Sequence, residues 1–470
     1  MSHCWGGHVP LRLLSDNIDD LQVELPVAQL SQSFRDAIEV LQWLGLSYIW
    51  IDSLCIIQNP PADWERESAL MAEVYSNSHC NIAAAHAANG THGCFTERDP
   101  HLVKPLKIDL NWGLNPGVYY AVHENIWQHN VMETPLNSRA WVCQERYLAP
   151  RNLFFGETQL FWECYDCSAC ETFPAGLPPG LTKMVKMSDP HTSGAAVRRQ
   201  RSLSEEPELD ALSLWGEIVG QYSKGQLTFP DDKLVAVSGL ASRMEKHVQS
   251  EYLSGLWRKH LAAQLLWEIN LGAPGERLDF YTAPSWSWAS VHGVIEQACD
   301  MDRTDDFLLE IQEAQTQTVS EPNPFGQVKA GYIRARGYLA KAGVHVKHGL
   351  YYLVSYRMFI HDKEVGEAVI EHYKRGEDPA ANPTESAVKY YGLYYVPVRI
   401  RGSTTYIEGL VLRENFPGSG EFVRFGIFWL RPEEVGPFQA VCREHSTGSR
   451  QKGATENTDG WGPKLEFTLI

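Results

Sequence analysis

The chain has 470 residues, 44% of them hydrophobic and 21% charged, which suits two or three globular domains and excludes disorder along its whole length. Its 58 acidic against 41 basic residues give a formal charge of −17, the wrong balance for a binder of phosphate backbones or anionic lipid. Fifteen Trp, 20 Tyr and 17 Phe supply large side chains for sizeable cores.

The ten cysteines are scattered, and several lie inside apolar runs where a thiol behaves as a small buried hydrophobe. They form no disulfide framework, and no basic-then-apolar leader opens the chain. The longest apolar stretch, 40–57, is interrupted by Gln42, Gly45, Ser47 and Asp52 and makes a poor membrane span. These features predict a reduced, cytoplasmic protein without a membrane segment.

Residues 33–44 place Phe34, Ala37, Ile38, Leu41 and Leu44 at helical spacing, with Ser31 or Ser33 to cap the start and Gly45 to close the end. Tyr48-Ile49-Trp50-Ile51 is a short apolar run of the kind buried in a parallel sheet. Pro60-Pro61 interrupts it. A second helix follows, with Asp63 as cap, Glu65 and Glu67 in its first turn and Met71, Val74 and Tyr75 on its inner face. Residues 81–85 form the next strand candidate, 139–148 a third helix, and Leu153-Phe154-Phe155 a further strand after Pro150. Helices alternating with short apolar strands predict an α/β domain with a parallel, doubly wound sheet.

Beyond it, residues 166–208 read as a linker, with Pro174, Pro178, Pro179 and the basic run Arg198-Arg199-Gln200-Arg201. A helical pattern covers 209–298, as in Leu256, Trp257, His260, Leu261, Gln264 and Leu265. After a polar stretch over 300–327, alternation at 332–336, 351–356, 396–400 and 425–430 predicts a β-rich region over 328–470.

Three blocks resemble the fungal heterokaryon-incompatibility (HET) family. Ser2-His3-Cys4-Trp5-Gly6-Gly7 is similar to its opening Leu-Ser-x-x-Trp-Gly signature. The central block is matched by Tyr48-Ile49-Trp50-Ile51-Asp52-Ser53-Leu54-Cys55-Ile56-Ile57-Gln58, Asp63-Trp64-Glu65-Arg66-Glu67 and Met71-Ala72-Glu73-Val74-Tyr75-Ser76. The closing block is matched by Leu136-Asn137-Ser138-Arg139-Ala140-Trp141-Val142-Cys143-Gln144-Glu145-Arg146 and Pro150-Arg151. The resemblance implies a HET domain over 1–165 with a TIR/flavodoxin-like fold. Family members carry a strand before the opening block, and Met1 stands in its place, so that strand is expected to be missing.

HET domains resemble TIR domains, many of which cleave NAD with a glutamate four residues after a tryptophan. Trp141 and Glu145 have that spacing, so the resemblance implies Glu145 as catalytic carboxylate and NAD as substrate rather than bound cofactor. Cleaving the nicotinamide–ribose bond develops positive charge on the sugar, which a fixed carboxylate stabilises. The plain alternative is that Glu145 pairs with Arg146 or Arg139 and that Trp141 belongs to the core. Asp52, at the carboxyl end of an expected strand, reads either as a ribose contact or as a loop cap beside Ser53. Trp5 and Gly6 occupy the equivalent end of the first strand, where a ligand contact and a tight turn explain them equally. Gln58 and Arg139 read as structural hydrogen-bonders.

Cys164-x-x-Cys167-x-x-Cys170 lacks the second ligand pair that zinc requires unless Cys143 or His191 completes it, and reads as three free thiols. Cys143, flanked by Trp141 and Val142, reads as packing rather than as a nucleophile with His123. Signatures of serine hydrolases, phosphate loops, metalloproteases and dinucleotide-binding folds are absent from the sequence. Two functions follow from the resemblance. One is an incompatibility and cell-death effector that self-associates or meets a protein partner, without nucleic acid, membrane or metal. The other is an NAD glycohydrolase.

Overall fold

The computed structural model describes residues 1–7, 11–113, 115–178, 180–181, 207–270, 275–296, 304–319, 323–348, 354–360, 363–370, 389–402, 405–448 and 460–470. The chain forms two compact units: Met1–Ser204 with Gly225–Leu227, and Glu205–Lys224 with Thr228–Ile470. His191, the basic run at 198–201, most of the expected linker and the start of the 351–356 alternation lie outside the described residues.

In the first unit, helix α1 (Gln32–Trp43) buries Phe34 and Ala37 of the predicted face together with Val40, while Ile38 and Leu41 are half-buried and Leu44, past its end, is exposed. Ser31 stands at its N-cap without a capping side-chain bond, and Gly45 ends it at φ +66°. A single turn, α2 (Asp52–Cys55), precedes α3 (Pro61–Ser76). That helix starts at Pro61, which needs no partner for a missing N–H. Asp63 lies in its first turn and accepts from Ile57 N at 2.8 Å rather than serving as cap residue. Helix α4 (Ala140–Leu148) leads to strand β4, labelled in chain order after β1 (Asn81–Ala83) and the hairpin β2–β3 (Leu106–Leu110, Gly117–Ala121). Strands β4 (Arg151–Phe155), β5 (Leu160–Cys164) and β6 (Ser168–Cys170) complete the set.

The sheet runs β1-β4-β5-β6. Only β1 and β4 pair in parallel, while β4-β5-β6 is antiparallel, so the sheet is mixed where a wholly parallel one was expected. Residues 160–170 fold back as two extra strands. The second falls inside the expected linker, so the unit extends past residue 165. Residues 48–51 are not part of a strand ladder: Ile51 is buried, Tyr48 is exposed, and Trp50 O accepts one bond, from the Met1 ammonium at 2.9 Å. Met1–Trp5 takes the central place instead. Ser2 N donates to Ile82 O at 2.8 Å and Ala84 N to Ser2 O at 3.1 Å, which sets Ser2 parallel to Ala83.

The buried face of β5, formed by Phe161 and Glu163, includes a charge. Glu163 lies opposite Asn152 and takes a bidentate pair from Arg146 of α4, at 2.9 and 2.6 Å. Asn152 Nδ2 reaches Glu163 Oε2 at 3.2 Å and Arg146 O at 2.9 Å, and the rings of Trp127 and Phe154 flank the guanidinium.

In the second unit, α5 (Pro207–Tyr222) and α6 (Val235–Val248) belong to the same compact body as the C-terminal sheet, so 209–298 is not a domain by itself. It is not helical throughout: Tyr252–Leu253 pairs Leu256–Trp257, and Glu268–Ile269 pairs Ile295–Glu296, as short antiparallel strands. The strands are β7 (Glu310–Thr318), β8 (Val328–Gly337), β9 (Ala340–His348), β10 (Val354–Ile360), β11 (Lys363–Ile370), β12 (Lys389–Ile400), β13 (Ile407–Glu414), β14 (Glu421–Leu430) and β15 (Leu465–Leu469). Strands β9-β10-β11-β14-β13-β12 close a ring of antiparallel pairs, which removes free edges. Phe438 of α7 (Pro432–Gly448) joins its core with Tyr395 and Phe428. β7 falls in the stretch 300–327 read as polar: Ala314 is its one fully buried side chain, so the alternation carries almost no apolar signal.

Glu163→Ala leaves the Arg146 guanidinium buried and uncompensated. It is expected to lower the stability of the first unit by ~3–5 kcal/mol in denaturant titration, with Arg146→Met/Glu163→Leu recovering most of it. A loss under ~1 kcal/mol for the single variant contradicts this account of the pair.

Candidate functional site

The sequence candidates fall into two groups around Met1–Trp5. At the carboxyl end of this segment, Trp5 Nε1 donates to Asp52 Oδ2 at 3.2 Å, and Asp52 Oδ1 accepts from Ser53 N at 2.7 Å. Gln58 Nε2 bonds Asp52 O and Ile56 O at 3.1 and 2.9 Å, closing the loop after α2. Both oxygens of Asp52 are therefore engaged in ordering the loop. Gly6 follows at φ +57°, and a Cβ there would stand 2.3 Å from Asn89 Cβ and 2.4 Å from Ala88 O. A left-handed turn and a close backbone approach both require glycine.

His3 is 3% exposed, with Nδ1 3.7 Å from Asp52 Oδ1 and its ring edge-on to Phe34 at 4.8 Å. Burial pulls its pKa down to about 4 against the favourable charge of Asp52, with Arg139 lowering it further. Arg139 donates to His3 O.

Glu145 sits on the other side of the same segment, inside the core and not at the rim of the sheet. It is 5% exposed. The Ser2 hydroxyl, which donates to Asn81 Oδ1 at 3.2 Å, and Tyr75 stand close to its carboxyl, while Oε2 is buried without a hydrogen-bond partner. Burial raises its pKa, opposed by the Arg139 charge and the Ser2 side chain. The expected pairing of Glu145 with Arg146 does not form, because Arg146 is taken by Glu163. Trp141, one turn before Glu145, is half-buried and packs edge-to-face on Trp64 of α3 with centroids 6.3 Å apart. This contact joins two helices.

A hollow of about 420 Å³ lies at the carboxyl ends of β1 and β4, where open α/β sheets hold ligands. Its lining includes His86, His92, His129, Asn130, Glu133 and Glu157, and none of the candidates chosen from sequence. His86 fixes one wall, its backbone N and ring Nδ1 both meeting Phe155 O, at 3.2 and 3.0 Å. His129 Nε2 stands 3.6 Å from Glu133 Oε2. The spacing of four between His129 and Glu133 was the available sequence signal, but His86 and Glu157 join them only through the sheet.

Cys143 is buried in α4 with its thiol pushed up to about 12, which suits packing and not nucleophilic attack. Among the described residues no group of three or more His, Cys, Asp or Glu is placed to hold a metal ion. No helix among them is long and apolar enough to cross a membrane.

The His3 geometry fixes a pH dependence. Its folded value near 4 lies below the ordinary 6.5, so the unfolded chain takes up the proton first. The stability carried by neutral His3 is complete above about pH 6.5 and drains as pH falls toward 4. Between pH 7 and pH 5 the first unit should lose about 2 kcal/mol in urea titration, and His3→Gln should flatten that slope. An unchanged slope in the variant excludes His3 as its source.

Residues 1–145 match the family model described as heterokaryon incompatibility protein (HET), which identifies the N-terminal part of the chain as a HET domain. Comparison with curated proteins finds no match, and comparison with solved structures finds none either.

Proposed function

We propose that the chain is a heterokaryon-incompatibility effector whose HET domain triggers cell death in the cytoplasm through a protein partner or a second copy of itself, without chemistry at Glu145. The HET match supports the incompatibility role. The observation that favours signalling over catalysis is the enclosure of Glu145: its carboxylate is 5% exposed and does not line the hollow beside β1 and β4. Trp5, Asp52 and Trp141 are likewise spent on internal contacts. The hairpin β2–β3 adds support for a protein partner, because it stands outside the main sheet and exposes Leu106, Trp112, Val118 and Tyr120.

The NAD glycohydrolase on a TIR-like doubly wound fold is the second reading, and one observation favours it. Glu145 Oε2 is a buried carboxyl oxygen without a partner beside the Arg139 charge, the state in which enzymes hold reactive acids.

Induced expression of the full chain and of Glu145→Gln separates the two. The signalling reading expects cell death in both with NAD content unchanged. Loss of NAD with the parent chain, abolished in Glu145→Gln while the variant stays folded, overturns it in favour of the enzyme.

A further inference from the structure

The turn between β5 and β6 brings two sulfur atoms together. Cys164 ends β5, Tyr165-Asp166 make the turn, and Cys164 N donates to Cys167 O at 2.9 Å. The two cysteines therefore face each other across a two-residue hairpin, continuing the Glu163–Ser168 pair. Antiparallel partners have Cα atoms about 4.5–5.5 Å apart, inside the range of about 4.4–6.8 Å that a disulfide tolerates. The sulfurs are 3.9 Å apart. Cys167 is exposed and Cys164 partly so, and a turn of the free Cys167 side chain covers the remaining distance to a bond of about 2.0 Å.

The two thiols are not equivalent. Burial alone would push Cys164 up, but the polar groups around its sulfur, first the backbone of Asp166 and Cys167 and then the side chains of Trp162 and Cys167, outweigh it, so the net shift is downward. Cys167 moves the other way, through burial and the neighbouring Cys164 charge. One sulfur is thus readied as thiolate, and the other waits beside it. Elsewhere in this unit the thiols of Cys4, Cys55, Cys94, Cys143 and Cys170 are all raised. Cys170, third in the series, is buried in β6, which leaves a pair and not a triad.

We propose that Cys164 and Cys167 form a peroxide-reactive dithiol that closes to an intramolecular disulfide at the tip of the β5–β6 hairpin. The Cys164 thiolate attacks the O–O bond of a hydroperoxide, forming an S–O bond and releasing alkoxide, or hydroxide from hydrogen peroxide, which takes up a proton. Cys167, as thiolate, then attacks the Cys164 sulfur, the S–S bond forms, and the sulfenic oxygen leaves as hydroxide and is protonated to water. Two electrons pass from the sulfur pair to the peroxide. The sum is two thiols and one hydroperoxide to one disulfide, one alcohol and one water, with hydrogen peroxide giving two waters.

The test treats the reduced, chelator-washed full chain with stoichiometric hydrogen peroxide, alkylates the remaining thiols and maps the peptides by mass spectrometry. The expected result is a peptide 2 Da lighter carrying a Cys164–Cys167 bond. It should appear at least ten times faster than alkylation is lost at Cys55, the exposed thiol that serves as internal control. In Cys167→Ser a sulfenic acid should be trapped at Cys164 by dimedone; in Cys164→Ser, Cys167 should react no faster than Cys55. Oxidation of Cys164, Cys167 and Cys55 at equal rates overturns the proposal, as does a Cys164 sulfenic acid in the parent chain that never resolves onto Cys167.

Discussion

The first unit is organised around a five-residue segment. Met1–Trp5 lies between Trp50 and β1, and β1, α2, α3 and the head of α4 each have a bond to it. Trp50 O takes the Met1 ammonium, Ile82 and Ala84 bond Ser2, the Tyr75 hydroxyl of α3 reaches Met1 O, and Arg139 at the head of α4 reaches His3 O. Trp5 then anchors the loop after α2 through Asp52. A segment bridged to β1 through Ser2 and tied to Trp50 by one further bond has its side chains held against the core. That is why Ser2 and His3 are as buried as the apolar residues around them.

The same constraint decides the standing of Glu145. Glu145 lies against this segment, close to the Ser2 side chain, and burial raises its pKa. A ligand in an open α/β sheet arrives at the carboxyl rim, where Trp5, Asp52 and the histidine-lined hollow lie. Motif spacing placed Glu145 one turn past Trp141 on a helix, and that is where it sits. Spacing says nothing about whether the helix face is roofed by a strand, and here it is.

The helices were legible because each carries its own period: α1, α3 and α4 begin and end within a few residues of where apolar spacing, Pro61 and Gly45 put them. Strands were legible where apolar residues ran together, as in β4 and β14. β5 escaped because Glu163 stands at one of its buried positions and breaks the alternation, and β7 because its buried face offers little more than Ala314. The run at 48–51 has the composition of a buried strand yet makes a single backbone bond to its neighbour. The hollow beside β1 and β4 was invisible for a different reason: its residues come from four separate stretches of chain.

Both units bury full charges, and the charges settle register more than stability. Replacing a buried ion pair with well-packed apolar groups costs little, while stranding one member costs several kcal/mol. In β5, a slip of one residue against β4 would turn Glu163 away from Arg146 and bring Phe161 out of the core. In β14, Arg424 is fully buried with its guanidinium 3.6 Å from the centre of the Trp267 ring, and it donates to the carbonyls of Leu265 and Trp267. The same slip in β14 would leave that cation facing the other side of the strand, without those carbonyls. An apolar strand tolerates such slippage at the price of a few contacts; a strand with one interior ion tolerates only the register that pairs it. The −17 net charge of the sequence therefore hides interior cations, and in β5 and β14 they add an electrostatic penalty for a slipped register to the one the buried apolar residues already impose.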